Sequence, residues 1–103
     1  MAAPLRPLVT LYTRPGCHLC DDARDILGAV LAERAAAGAP AVDVDEVDIE
    51  SDPALFRRHL ETIPVLAVGV AELPLAMRPG SIRAFLAERL EAAAPSAVPA
   101  TSE

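Results

Sequence analysis

The stretch from Leu8 to Cys20 constrains this chain more than any other. Leu8 to Thr13 is a run rich in β-formers, and Arg14-Pro15-Gly16 closes it with two backbone breakers. An apolar stripe at helical spacing follows at once. Leu19, Ala23, Ile26, Leu27, Val30 and Leu31 fall on one side of a helix that must stop at Gly38 and Pro40. A strand joined so closely to a helix puts the first helical turn at the end of a sheet, and the chain places both its cysteines there, Cys17 and Cys20.

The remaining elements follow by the same reading. Val42 to Ile49 is rich in β-formers but changes alternation phase near Asp45 and Glu46, which predicts a second strand with an irregularity at that point. Ser51-Asp52-Pro53 predicts a helix start, with Asp52 capping free N–H groups and Pro53 at the first helical position, and the helix runs to about Leu60. Pro64 to Val70 predicts a third strand. Leu73, Leu75 and Met77 alternate as a fourth, which Pro74 confines to a sheet edge. Ile82, Phe85, Leu86, Leu90 and Ala93 mark a final amphipathic helix, and Pro95–Glu103 reads as a disordered tail.

The order is β-α-β-α-β-β-α. A β-α-β start implies parallel strands and a right-handed crossover, and the short gap between the third and fourth strands implies an antiparallel hairpin. The predicted architecture is an α/β domain with a four-stranded mixed sheet. With 103 residues, one domain over residues 1–94 and a tail over 95–103 account for the chain.

Charge and composition exclude several functions. The net charge is −6, and every basic residue is an arginine, with no basic cluster. That removes the electrostatic footprint of a nucleic-acid binder and disfavours an anionic membrane surface. Neither a secretory apolar region nor an uncharged run near the roughly 20 residues of a bilayer span is present. The expectation is a cytoplasmic monomer. In a reducing compartment, two cysteines at this spacing are read as catalytic or metal-binding rather than as a structural cross-link.

A thiol at a helix start meets unpaired N–H groups and the positive end of the helix dipole, both of which favour thiolate. Cys17 is therefore the candidate nucleophile. Cys20, about one turn on, is placed to attack a mixed disulfide formed at Cys17. Asp21 and Asp22 add opposing negative charge. His18 either stabilises the thiolate when protonated or is a solvated residue of the turn.

Tyr-Thr-Arg-Pro-Gly-Cys-x-x-Cys after a strand, followed by Thr62-Ile63-Pro64-Val65, resembles the glutaredoxin branch of the thioredoxin superfamily over roughly Leu8 to Ala94. Asp48-Ile49-Glu50-Ser51-Asp52-Pro53 and Ile63-Pro64-Val65-Leu66 are most similar to small bacterial glutaredoxin-like proteins. The resemblance implies a thioredoxin fold, Cys17 as nucleophile, Cys20 as resolving thiol and Pro64 as a cis-proline facing them. It also implies substrate contacts from Arg14, through its positive charge, and from the Ile63 backbone turned by Pro64; His18, beside the nucleophile, is a further candidate on the substrate side from its position alone. No permanently bound cofactor is implied. Glutathione enters as a co-substrate, and the partners are a protein disulfide or low-molecular-weight thiol and a thiol reductant system.

Two departures bear on the reductant. His18-Leu19 replaces the usual Pro-Tyr between the cysteines, and Met77-Arg78-Pro79-Gly80-Ser81 replaces the glycine-rich acidic turn that grips the γ-glutamyl end of glutathione. Glutathione dependence is left open.

Other readings stand beside this one. The pair could be half of a zinc or iron–sulfur site, but there is no second C-x-x-C and only His18 and His59 could add nitrogen ligands, so a second subunit or bound thiol would be required. A non-catalytic interaction module would keep the cysteines without using them. Tyr12 reads as a packed strand residue, and Arg57, Arg58 and His59 read as a solvated helix face.

Overall fold

The computed structural model describes residues 6–93. The expected disordered tail, Pro95–Glu103, lies outside the described residues. Strand β1 spans Leu8–Thr13, helix α1 His18–Ala36, strand β2 Asp43–Asp48, helix α2 Pro53–His59, strand β3 Val65–Val68, strand β4 Ala71–Leu73 and helix α3 Pro79–Ala93. A 3-10 turn, Ile49–Ser51, intervenes between β2 and α2.

The sheet order is β2-β1-β3-β4. β1 runs parallel to β2 and antiparallel to β3, and β3 runs antiparallel to β4. Alternation divides β1 between two faces. Val9, Leu11 and Thr13 are buried on one side, where Val9 and Leu11 join Leu66, Ala23, Leu27, Val30, Ile82, Leu86 and Leu90 in the main core. Helices α1 and α3 thus cover one face, tied by Arg83 to Glu33 at 2.9 Å and Arg34 to Glu91 at 3.1 Å. On the other face Tyr12 packs under the short α2.

Local chemistry sets the element ends. Gly38, at φ 90°, takes the left-handed conformation that closes α1, and its N–H donates to the Ala35 carbonyl at 3.0 Å. Asp52 caps α2 as its sequence predicts, accepting the Ala54 N–H at 2.8 Å.

Three expectations need correction. β2 pairs with β1 without irregularity from Asp43 to Asp48, so the phase change marks no bulge. Glu46 instead occupies an α1-facing position because Arg24 and Thr13 both donate to its carboxylate. The fourth strand ends at Leu73 instead of alternating through Met77. Pro74 has no N–H for the ladder, and beyond it the Leu75 and Ala76 N–H groups donate to the Thr62 and Pro64 carbonyls, both at 2.8 Å. That path puts Leu75 at φ 52° and buries Ala76. Finally, Leu19 does not join the core but stands 49% exposed, because the buried side of α1 runs through Cys20, Ala23, Leu27 and Val30 and leaves Leu19 on its flank.

Candidate functional site

Gly16, at φ 75°, completes the turn after β1 in a conformation that a side chain would disfavour, and so delivers Cys17 to the head of α1. Cys17 is the N-cap residue, with extended backbone at φ −100° and ψ 108°. Its Sγ accepts the Cys20 N–H at 3.1 Å, and its carbonyl accepts the Asp21 N–H at 3.1 Å. A sulfur does here what a serine or aspartate oxygen does at other helix starts: it satisfies an N–H of the first turn that has no partner within the helix. That geometry sets the Cys17 sulfur at the end of a 19-residue helix that favours negative charge.

Cys17 and Cys20 are close enough to form a disulfide, with their Cα atoms 5.2 Å apart, within the range such a bond requires. The two sulfurs are not equivalent. Cys17 is partly exposed, whereas Cys20 is fully buried against the core.

Strand register gathers the other predicted residues at the same end of the sheet. Tyr12 pairs with Val65 and Thr13 with Asp48, so the turn before Cys17, the Ile63-Pro64 segment and the end of β2 all emerge together. The Ile63–Pro64 peptide bond is cis, and Pro64 is buried. The Ile63 N–H is donated to the His59 carbonyl at 3.0 Å. His18 is exposed on the first turn of α1.

Arg14 is turned toward the elements that follow β2. Its Nε donates to Glu50 at 2.7 Å, and its guanidinium lies 5.2 Å from the centre of the Phe56 ring. Its charge is thus partly neutralised beside the site. Glu50 and Phe56 escaped the sequence reading because they are far from Arg14 along the chain, and no local spacing links them.

A second polar group braces the turn. The Thr13 hydroxyl donates to Glu46 at 3.0 Å, and Arg24 reaches Glu46 at 2.6 and 2.7 Å and Asp21 at 2.9 Å. Hydrogen bonding from Arg24 holds the Glu46 carboxyl below the ordinary carboxylate value; the Thr13 hydroxyl adds to this and burial opposes it. The same pairings keep Arg24 still more firmly protonated than a free arginine. The altered alternation around Asp45 and Glu46 was the trace of this network in the sequence.

Behind β1, His59 is not on a solvated face. It is 2% exposed and stacks on Tyr12 with ring centres 4.5 Å apart. Among the described residues its Nε2 has no hydrogen-bond partner, and it lies 3.9 Å from Glu72, which Arg58 also contacts at 2.9 Å. Burial pushes the His59 pKa below its ordinary value, against a weaker pull upward from Glu72. The helix-face reading failed because the last turn of α2 packs on β1, where His59 is turned inward onto Tyr12.

Among the described residues, no group of three or more His, Cys, Asp or Glu side chains is arranged to hold a metal ion. No helix among them is long and apolar enough to cross a membrane.

These features define a thioredoxin-fold domain with a disulfide-forming cysteine pair at the start of its first helix. The glutaredoxin-like domain (DUF836) matches residues 8–93, and the chain belongs to that family. It is also similar to the X-ray structure of Northeast Structural Genomics target protein XcR50 from X. campestris, with a TM-score of 0.61 and 33% identity, over 78% of this chain and 96% of that one. No functionally curated protein matches the chain.

Proposed function

We propose that this protein is a small dithiol oxidoreductase that reduces protein disulfides or mixed disulfides. One observation carries the reading: Cys17 is partly exposed and caps α1, while Cys20 is buried one turn behind it. The outer sulfur is open to a substrate and stabilised as thiolate. The inner one is shielded from all but its neighbour.

In the reaction, the Cys17 thiolate attacks a substrate sulfur, the substrate S–S bond breaks, and the first substrate thiolate leaves and takes up a proton. Cys20, losing its proton, then attacks Cys17. The Cys17–Cys20 bond forms, the second substrate thiol is released, and two electrons have passed from the dithiol to the substrate. An external thiol system, with glutathione as one candidate, restores the dithiol by the reverse exchange. His18, Ile63 and Pro64 line the substrate side, and Arg14 acts there while tethered to Glu50. The protein works as a cytoplasmic monomer and holds no permanent cofactor.

The test is the Cys20→Ser variant with a disulfide substrate. It should accumulate a mixed disulfide at Cys17, seen as a mass increase that dithiothreitol reverses, while the unaltered protein releases both substrate thiols. Failure of Cys20→Ser to form the adduct, with Cys17 free and the protein folded, contradicts the reading.

A further inference from the structure

Beside the cysteines, the first turns of α1 and the segment leading into α3 enclose an open groove of about 490 Å³. Leu19, Asp22, Asp25, Ile26, Met77 and Arg78 line it. Leu19 lies between the two cysteines in sequence, so the groove begins next to the reacting pair. Its apolar part is Leu19, 49% exposed, with Ile26 and Met77 partly buried. Leu19 and Ile26 lie two turns apart on the same flank of α1, beside the buried side that runs through Cys20, Ala23, Leu27 and Val30.

The charged part is asymmetric. Asp22 and Asp25 are exposed, and among the described residues neither forms an ion pair, whereas Asp21 on the same helix is engaged by Arg24. Among the described residues, Arg78 is the only cation lining the groove. Across the cysteines, Arg14 is engaged by Glu50. A ligand lying in the groove therefore meets an apolar wall and a surplus of unneutralised carboxylate.

We propose that this groove selects polypeptide disulfides in which the reacting cysteine is followed by an apolar and then a basic side chain, and that it disfavours anionic thiols of the glutathione type. The proposal rests on the thiol-exchange reading and names the substrate class of that site. The apolar side chain covers Leu19 and Met77, which otherwise face water. The basic group reaches Asp22 and Asp25. Glutathione carries more carboxylates than amines, offers no large apolar side chain, and meets those same two aspartates.

The test uses the full chain in its reduced form and three chromogenic mixed disulfides of thionitrobenzoate. Two are with the capped peptides Cys-Leu-Ala-Arg and Cys-Leu-Ala-Glu, and the third is with glutathione. Cys17 attacks the peptide sulfur, the bond to thionitrobenzoate breaks, and the coloured thiolate leaves with the electron pair. Cys20 then displaces the peptide thiol and the Cys17–Cys20 bond forms, so the reaction is read as a single turnover in which the protein's own dithiol supplies both electrons.

The arginine peptide should react about tenfold faster than the glutamate peptide at low ionic strength, the scale expected when a charge is reversed against two exposed carboxylates. The ratio should fall toward one in about 1 M salt. It should fall likewise at low salt in the Asp22→Asn, Asp25→Asn double variant. A ratio between two peptides cancels any change in Cys17 reactivity or in the folded fraction.

Equal rates for the two peptides, or a faster reaction with the glutathione derivative than with the arginine peptide, would overturn the proposal while leaving thiol exchange intact. If no probe outpaces its reaction with a free peptide thiol, thiol exchange itself fails and the proposal falls with it.

Discussion

The backbone N–H of Cys20 donates to the Sγ of Cys17 at 3.1 Å, so the inner cysteine helps to hold the sulfur of the outer one. Exposure then separates their roles, since Cys17 is partly open and Cys20 sealed. After reduction, a brief pulse of iodoacetamide should label Cys17 almost alone, as read by peptide mass spectrometry. Equal labelling of the two would contradict the division of roles.

Glu46 links the turn before Cys17 to α1 through Thr13 and Arg24. Thr13 is only 4% exposed, so Glu46→Ala strands a buried hydroxyl and should cost about 1–2 kcal/mol in urea unfolding. Glu46→Gln keeps an acceptor for Thr13 and loses mainly a half-exposed ion pair, so it should cost about 0.5 kcal/mol. The folded pKa of Glu46 is depressed, so the unfolded chain takes the proton first. Its contribution is present above about pH 4.5 and is lost as pH falls through the lower folded value. Glu46→Gln should flatten that acid limb.

His59 gives a second pH dependence with the same sign. Burial lowers its folded pKa, so the unfolded chain binds a proton near pH 6.5 while the folded chain remains neutral. Stability should decline as pH falls below about 6.5 and level off below the folded value. Around the ring, Glu72 opposes this shift, Arg58 reinforces it, and Tyr12 packs against one side. His59→Phe keeps a ring for Tyr12 to stack on, and should shrink the fall in Tm between about pH 7.5 and 5.5. An unchanged fall would assign the effect to other groups.

Leu86 is fully buried between the helices and the sheet, whereas Val70, in the β3–β4 turn, is 101% exposed. Leu86→Ala should cost about 2–5 kcal/mol by chemical denaturation, and Val70→Ser less than about 0.5 kcal/mol. Comparable losses at the two positions would contradict the placement of the core.

The features legible in the sequence were those carried by neighbours along the chain. Pro15-Gly16 marked the turn before Cys17, Asp52-Pro53 the start of α2, and Ala23, Leu27 and Val30 the buried side of α1. What stayed hidden depends on contacts between distant segments. Glu46 read as a disturbed strand because its partner Arg24 lies on another element. His59 read as solvated because only the way α2 lies on the sheet turns it inward. Leu19 fitted the helical stripe, yet periodicity does not show how wide a side of the helix the core covers, and Leu19 falls on its flank. At the candidate site, the cysteines and Pro64 were legible from their motifs. The tether on Arg14 and the Asp22–Arg78 groove emerge only when β2, α2 and the start of α3 are brought alongside.

On the proposed function, the start of α1 stabilises the Cys17 thiolate. The most direct measurement of this is the pH dependence of the alkylation rate of Cys17 in the reduced Cys20→Ser variant, where no other thiol reports. The inflection should fall clearly below the ordinary thiol value of about 8.5, near 7 or lower. An inflection at or above about 8.5 would show that the helix gives this sulfur no advantage, and would contradict the account.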